Sequence, residues 1–279
     1  MKKENKKETE FFGEHAENNI WSALINPVRD TDYFVRHIKY VAESGEGITI
    51  AKTEINGEEY TFAALDNERP LRVLLTLKGK EIAYCAPLLR GINIPAIIKE
   101  KYTWKKPYLG EFAVKVGENE HIMSIFDPLY AIDSKQNIKK EIISLSAVAL
   151  RIKKFEEKSF TVDKGGFYEM ELEKFLKENP GKTKKDFEDP ILRMTPENFR
   201  MIMPTKYTSE QEIVAGIDEV QKTTFLGQTV YIMKANLEHT INNEFCCFNL
   251  YASKEVLLGY VPKAGDAISA VVWLQGFFN

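Results

Sequence analysis

Cysteine and histidine, the side chains best suited to metal binding and nucleophilic catalysis, are few in this chain and are not grouped. There are three cysteines and four histidines in 279 residues. His239 lies near the adjacent pair Cys246 and Cys247, but neighbouring residues of a strand point to opposite faces, so these positions supply two ligands at most. Structural zinc needs four ligands, usually with C-x2-4-C spacing. We therefore predict no metal and no cofactor.

No serine or cysteine stands in the G-x-S-x-G pattern that exposes a catalytic nucleophile between a strand and a helix. Ser144 and Ser146 lie inside an apolar run, where serines hydrogen-bonded to the backbone are expected. The sequence therefore favours a protein that is not an enzyme. An active site assembled from distant residues stays open as an alternative, because such sites are defined by geometry rather than by spacing.

Two glycine-containing segments match phosphate-binding motifs only in part. Residues 181–183 (GKT) match the end of a P-loop, but Leu176 stands where that motif requires its first glycine. Residues 45–47 (GEG) lead into a strand-like run, whereas a dinucleotide fingerprint leads into a helix whose N-terminus holds the pyrophosphate. Neither segment predicts a nucleotide site.

Asp127 is the acidic residue with the most unusual local sequence, in the segment 126–130 (FDPLY). Aspartate before proline starts turns, and the flanking aromatic residues would fix this turn to the core. The functional alternative is a loop that faces a ligand, with Asp127 as the hydrogen-bond acceptor. We carry Asp127 forward as a candidate ligand-binding residue.

Composition predicts a folded protein that is not built as a whole to bind a polyanion. Hydrophobic residues make up 44% of the chain and charged residues 28%, and 38 basic against 41 acidic residues give a net charge of -3. That apolar fraction can fill a core. Lysines between residues 135 and 200 are interleaved with acids, which indicates a solvated surface. Nucleic acid is therefore not the favoured partner, although a local basic patch stays open.

The sequence also predicts a cytoplasmic protein without a membrane partner. Residues 1–19 begin with a lysine- and glutamate-rich run and are expected to form a disordered, charged tail. No signal peptide is evident, and no stretch of about 18 apolar residues could span a membrane. Three cysteines, two of them adjacent, cannot form a disulfide framework.

Several pairs of strand-like runs are separated by turn residues. The clearest is 48–55 and 58–65 joined by Asn56-Gly57, because Asn-Gly tolerates the positive φ angles of a type I′ hairpin turn. The runs 71–77 and 81–86, and the runs 112–116 and 121–126, predict two further hairpins. The apolar run 142–152 fits a buried helix or a buried strand, and we favour the helix.

Between residues 156 and 204 the composition changes to interleaved lysines, acids and prolines. This pattern is typical of a solvated connector or an insertion. Residues 168–178 predict a short amphipathic helix that ends at Asn179-Pro180-Gly181. The prolines around it predict that other regular structure there is short.

The last part of the chain, 205–279, resembles an OB-fold module. It predicts four strands at 213–220, 228–237, 244–252 and 267–278, with a glycine, Gly216, inside the first. A P-x-x-G-D turn at 262–266 leads into the apolar final strand AISAVVWLQGFF. The resemblance covers about a quarter of the chain and implies a small β-barrel. OB-folds commonly bind ligands across strands 2 and 3, on aromatic side chains.

Alternation along these strands selects the aromatic residues that such a ligand could contact. Cys246, Phe248 and Leu250 form the more apolar face of their strand, so Phe245 and Tyr251 point the other way. In the final strand Trp273 lies on the face opposite Val272. Phe245, Tyr251 and Trp273 are therefore candidate ligand-binding residues, and the alternative is that they pack against the N-terminal domain.

Together these patterns predict an α+β protein made predominantly of antiparallel β-structure. We expect an N-terminal α+β domain over 20–155, a charged connector over 156–204 and an OB-like β-barrel over 205–279. The favoured function is a non-catalytic binding or protein-interaction protein whose partner is an unknown protein or a small polymer. The alternatives are a binder of single-stranded nucleic acid or oligosaccharide through the OB-like face, and an enzyme with a site assembled from distant residues.

Overall fold

The computed structural model describes residues 20–25, 32, 34–36, 38–39, 48–64, 69–116, 122–135, 140–237 and 246–278. Strands dominate this part of the chain, as predicted, and they form both antiparallel and mixed sheets. The elements in chain order are β1 Ile48–Ile55, β2 Glu58–Ala64, β3 Leu71–Lys78, β4 Glu81–Leu89, β5 Ile92–Thr103, β6 Gly110–Val116, β7 Ile122–Asp127, α1 Tyr130–Asp133, β8 Lys140–Lys154, β9 Lys158–Thr161, α2 Gly166–Glu178, β10 Ile191–Met194, β11 Met201–Pro204, β12 Glu210–Phe225, β13 Gln228–Asn236, β14 Cys247–Ser253 and β15 Ala267–Phe278.

The first four strands form an antiparallel meander in the order β1-β2-β3-β4. Asn56 and Gly57 have φ angles of 54° and 81° at the β1–β2 turn, so the predicted Asn-Gly hairpin is confirmed. The predicted hairpins of β3 with β4 and of β6 with β7 also form. Residues 117–121, which join β6 to β7, lie outside the described residues.

The remaining long strands close into two five-stranded barrels. In the first barrel, β5 pairs with β6, β6 with β7, β7 with β15, β15 with β8, and β8 returns to β5. In the second barrel, β12 pairs with β13, β13 with β14, β14 with β8, β8 with β15, and β15 returns to β12. Every pairing is antiparallel except β7–β15 and β14–β8, which are parallel. Both barrels therefore contain β8 and β15.

The long strand β8 corrects the helix predicted over 142–152. Residues 140–145 pair with β5 and residues 146–148 with β14, while β15 runs along the other edge. Both faces of its centre are buried, with Leu145 and Ala147 in the cluster inside the barrels and Val148 in the cluster under the four-stranded sheet. A strand covered on both faces loses the alternation that would have identified it. Gly91, which precedes β5, is required here because a Cβ would lie 2.5 Å from the carbonyl oxygen of Leu145 in β8.

The predicted C-terminal barrel over 205–279 supplies four of the five strands of the second barrel. The fifth is β8, from the predicted N-terminal domain. Strands from 20–155 and from 205–279 are thus hydrogen-bonded in one sheet and fold as one packed unit. The placement of domain boundaries at these residues stays a prediction.

The connector contains the predicted helix as α2, which ends at Glu178, and otherwise only short elements. Rings of Tyr168 and Phe175 pack on Phe187, with centroids 5.4 and 5.2 Å apart. Strands β9 and β10 form a two-stranded sheet with each other, and β11 adds to β12. The prolines account for this brevity, because proline removes a backbone donor.

Two large apolar clusters hold these elements together. One fills the barrels and includes Phe112, Leu145 and Leu250. The other lies between the outer face of the barrels and the four-stranded sheet, where it includes Phe62 and Trp273 together with Leu24 from the helical residues 20–24. The sheet β1–β4 therefore covers one side of the double barrel.

Within the described residues, no helix has the length and apolar character needed to cross a membrane.

Candidate functional site

Of the four residues selected from the sequence, Tyr251, Trp273 and Asp127 are fully buried. Phe245 lies outside the described residues. The alternation used to choose Tyr251 is correct, since Phe248 and Leu250 point into the barrel and Tyr251 points outward. The four-stranded sheet covers the outward face, so Tyr251 and Trp273 are buried there. A ligand-binding role for these residues stays a prediction.

Tyr251 fastens the barrels to the four-stranded sheet. Its hydroxyl lies 2.8 Å from the carbonyl oxygen of Arg90 and 2.9 Å from that of Pro70, and donates its proton between them. These carbonyls stand just after β4 and just before β3. Burial raises the pKa of the Tyr251 phenol well above its usual range. The side chain is therefore a neutral hydrogen-bond donor within an internal interface.

Trp273 is at the centre of a buried aromatic stack on the same face. Its ring centroid lies 4.6 Å from that of Phe126, which lies 5.1 Å from that of Trp104. Rings at these separations gain from edge and offset contacts as well as from burial. Trp273 therefore packs against the N-terminal part of the chain, which was the alternative given for these aromatic residues.

Gln275, which the sequence analysis did not single out, connects β15 to β4 through hydrogen bonds of its side chain. Its amide oxygen accepts from the backbone N–H of Leu89 at 2.9 Å, and its amide nitrogen donates to the carbonyl of Pro87 at 2.7 Å. All three residues are buried. A glutamine two residues after a tryptophan in an otherwise apolar strand was the available signal.

Asp127 belongs to a buried pair of carboxyl groups with Asp133. Asp127 Oδ1 accepts from the backbone N–H of Leu129 at 2.7 Å and so closes the turn into α1. Asp133 Oδ2 accepts from the backbone N–H of Phe278 at 3.3 Å. Burial, followed by the charge of Asp133, raises the pKa of Asp127 well above its ordinary value, and burial also raises the pKa of Asp133. The turn predicted from Asp-Pro is confirmed.

A third buried acid, Glu111 on β6, was missed by the sequence interpretation. Its Oε1 accepts from the hydroxyl of Thr208 at 2.6 Å, while its Oε2, the indole N–H of Trp104 and the hydroxyl of Ser209 have no hydrogen-bond partner among the described atoms. Burial raises the pKa of Glu111. Nothing in the local sequence distinguishes Glu111 from an exposed strand glutamate.

Because the pKa values of these buried acids are raised, the folded chain binds protons more tightly than the unfolded chain, and these acids make its stability fall as pH rises. We expect Asp127→Asn to reduce this dependence of stability on pH. A carboxyl whose pKa is raised by folding stabilises the folded chain at pH values below its ordinary pKa, which is 3.8 for aspartate. That stabilisation is lost as the pH rises through the pKa of the carboxyl in the folded chain. The variant keeps the acceptor for Leu129 and cannot ionise. At pH 7 the free energy of unfolding of Asp127→Asn should therefore exceed that of the wild type.

Urea unfolding between pH 4 and pH 8 measures this difference. The urea midpoint of the wild type should fall over that range, and that of Asp127→Asn should fall less. Glu157→Gln, which neutralises an exposed carboxyl, is the matched control and should follow the wild type. Parallel curves for Asp127→Asn and the wild type would contradict the expected protonation of the buried pair.

The outer face of the first barrel carries a row of side chains that the four-stranded sheet does not cover. Ile122 on β7 pairs with Lys115 on β6, which pairs with Ile97 on β5; Pro95 on β5 pairs with Ile142 on β8. Ile122 is 57% exposed and Ile142 51% exposed. We call these five residues the strip. Its charged member, Lys115, is half-buried between isoleucines.

The described part of the chain contains no obvious group of side chains that could bind a metal or a cofactor. Histidine, cysteine, aspartate and glutamate do not come together there in groups of three or more that could hold a metal ion. Cys85 and Cys246 are largely buried thiols, and burial raises the pKa of both, which disfavours the reactive thiolate. The described residues thus present an exposed aliphatic surface, the strip, whereas the acids Glu111, Asp127 and Asp133 are buried.

Comparisons of the chain with protein-family models, with curated proteins and with solved structures give no match.

Proposed function

We propose that this protein is a non-catalytic binding protein that holds a protein partner on the strip of its first barrel. The observation that carries the proposal is the exposure of Ile122 and Ile142 in one row across a rigid barrel. Contiguous aliphatic side chains on a folded surface are typical of contact sites for other proteins. The acids Glu111, Asp127 and Asp133 and the rings of Tyr251 and Trp273, in contrast, are buried.

We also infer that both barrels are OB-like within an α+β fold. In the first barrel the strand order is β5-β6-β7-β15-β8, so the third strand runs parallel to the last, and α1 lies between the third and fourth strands. The second barrel has the same spatial arrangement in the order β12-β13-β14-β8-β15, with β14 parallel to β8, but β8 precedes its other four strands in the chain. A closed five-stranded barrel with these connections supports the resemblance drawn from 205–279.

A comparison of matched variants tests the proposed function. Ile122→Ser and Ile142→Ser remove strip side chains that are already half in solvent, so the fold should be retained. Ile191→Ser, on β10 away from the strip, is the control because Ile191 is 56% exposed. In quantitative affinity purification from the source cells, we expect a protein retained by the wild type and by Ile191→Ser to fall about fivefold or more with both strip variants.

Equal recovery of every co-purifying protein by the wild type and the strip variants would overturn the proposal. Circular dichroism and urea unfolding of each variant, run alongside, separate loss of a contact from loss of the fold.

Single-stranded nucleic acid or an oligosaccharide is the second candidate ligand, and the OB-like strand order is the observation that favours it. Tyr251 and Trp273 are buried, so such a ligand would need another surface. Fluorescence anisotropy with labelled oligothymidylate tests the nucleic-acid form: binding that weakens steeply with salt supports it, and no binding at low salt removes it. An enzyme with a site assembled from distant residues stays the third candidate, with Glu111 and Asp127 as its titratable groups.

A further inference from the structure

A leucine with a left-handed backbone conformation lies in the loop between β14 and β15. Leu258 has a φ angle of 48°, and the following Gly259 has one of 91°. A positive φ is unfavourable for a residue with a bulky side chain, and asparagine and aspartate tolerate it better. The side chain of Leu258 is 90% exposed, the largest exposed fraction among the large apolar residues that the structure describes. Neither the backbone nor core packing therefore favours leucine at this position.

A second leucine has the same backbone conformation and serves as an internal comparison. Leu226, in the turn between β12 and β13, has a φ angle of 47° and precedes Gly227 at 77°. Its side chain is partly buried against the cluster under the four-stranded sheet, so packing explains leucine there. Leu258 has the same pair of φ angles without the packing. The gain that offsets its unfavourable conformation has no source among the described residues, which points to a contact outside the chain.

The loop around Leu258 is braced, so the leucine is held in a defined position. The preceding residue, Leu257, is 2% exposed and packs in the cluster inside the barrels. The backbone N–H of Tyr260 donates to the carbonyl of Leu257 at 2.8 Å, and the Tyr260 hydroxyl donates to Asp266 Oδ2 at 2.9 Å. Asp266 also forms an ion pair with Lys154 of β8, with 2.8 Å between Nζ and Oδ1. A braced loop loses little conformational freedom when it binds.

The surroundings of Leu258 indicate the kind of surface that it fits. Val261, three residues further on, is 54% exposed. The exposed charged residues of the same loop, Lys254, Glu255 and Lys263, carry both signs. An anionic membrane or a nucleic acid favours a surface of basic residues. A projecting leucine among charges of both signs instead matches an apolar pocket with a polar rim, the arrangement of protein–protein interfaces.

We propose that Leu258 is the anchor of a second protein contact, in which its side chain enters an aliphatic pocket of a partner protein. This contact is separate from the strip. Strand β14 runs parallel to β8 and continues to Ser253 beyond the pair of Tyr251 with Val148, whereas Ile142 of the strip lies near the start of β8. A two-fold dimer through the loop is disfavoured, since two projecting leucines would meet tip to tip and bury far less than the roughly 800 Å² per partner of a stable interface.

Photo-crosslinking with the full chain identifies the partner. A diazirine amino acid is built in at position 258, and in a second protein it replaces Ile191, an exposed residue of β10. After illumination in the source cells, we expect one protein to be linked at 258 and not at 191, through a segment rich in aliphatic residues. The linked protein is then purified, and its affinity for the wild type and for variants is measured by biolayer interferometry.

Substitutions of Leu258 separate the contact from the stability of the fold. Leu258→Asn introduces a residue that tolerates a positive φ, so its urea midpoint should equal or exceed that of the wild type. Its affinity for the linked protein should nevertheless fall about tenfold or more, because the contact loses a buried leucine side chain. Leu258→Met keeps an apolar side chain of similar volume and should retain most of the affinity. Ile191→Ser should bind as the wild type does.

The absence of an adduct specific to position 258, or equal affinity of Leu258→Asn and the wild type, would overturn this inference. An adduct to a second copy of the chain or to lipid would also overturn it and would identify that contact instead. Ile122→Ser, which removes a side chain of the strip, should bind the linked protein as the wild type does, and a comparable loss of affinity would show that the two contacts are not separate. None of these results alters the test of the strip itself.

Discussion

Trp273→Ala is expected to lower the free energy of unfolding by about 3 to 5 kcal/mol, the range for deleting a large buried aromatic side chain. Trp273 is fully buried, with its ring 4.6 Å from that of Phe126. It lies on β15, a strand of both barrels, and faces the four-stranded sheet. Alanine would leave a cavity where three layers of structure meet. Urea unfolding followed by circular dichroism measures the loss.

Trp273→Phe is the matched control for that variant. Phenylalanine keeps an aromatic ring against Phe126, and the indole N–H of Trp273 has no hydrogen-bond partner among the described atoms, so no hydrogen bond is lost. We expect a decrease of about 1 to 2 kcal/mol. An unchanged urea midpoint for Trp273→Ala would show that Trp273 does not form part of the core, and exposure of the ring to a ligand would then be reconsidered.

Gln275→Leu should have an effect of similar size although it keeps the volume of the side chain. Leucine leaves the buried N–H of Leu89 and the buried carbonyl of Pro87 without partners. Each unsatisfied group costs roughly 1 to 3 kcal/mol, so we expect the two together to lower the free energy of unfolding by about 2 to 6 kcal/mol in the same urea experiment. The result would establish that two side-chain hydrogen bonds hold β4 to the barrels.

Gln275→Glu separates the two hydrogen bonds. A glutamate oxygen still accepts from Leu89, but an ionised carboxylate faces the carbonyl oxygen of Pro87 and repels it. The variant should therefore be destabilised at pH 7 and should move towards the wild type in acid, where a protonated carboxyl can donate to Pro87. If Gln275→Leu and the wild type unfold at the same urea concentration, these hydrogen bonds contribute nothing net.

Local turn chemistry was the part of the fold that the sequence predicted well. Asn56-Gly57 specifies its hairpin because few residue pairs tolerate two positive φ angles. The helix α2 was identified because its apolar residues recur with helical spacing and a proline follows it. Both signals lie within a dozen residues of chain, where backbone preferences act without tertiary context.

The prediction failed where distant strands decide the environment of a residue. The run 142–152 lacks alternation because both faces of β8 are buried, one inside the barrels and one under the four-stranded sheet. Its periodicity therefore could not distinguish a strand from a helix. Tyr251 and Trp273 point away from the barrel interior as alternation predicted, but whether such a face is covered depends on a sheet formed by residues 48–89. Burial of Glu111 likewise depends on Thr208, 97 residues away.

The strip was inaccessible to sequence analysis for the same reason. Its residues come from β5, β6, β7 and β8, and none has an unusual neighbour in the chain. In the sequence Lys115 resembles many other strand lysines. Only the register of β5, β6 and β7 shows that it lies between Ile97 and Ile122.

The sharing of β8 and β15 has a consequence for how the chain acquires its structure during translation. Each barrel needs β15, the last of the fifteen strands in the part of the chain that the structure describes, so neither can close until residues 267–278 have left the ribosome. Up to that point β8 and β12 have unpaired edges, which are templates for wrong pairing and aggregation. Pairings of such long sequence separation also slow folding. A nascent chain stalled before residue 267 should thus hold both barrels open and depend on chaperones.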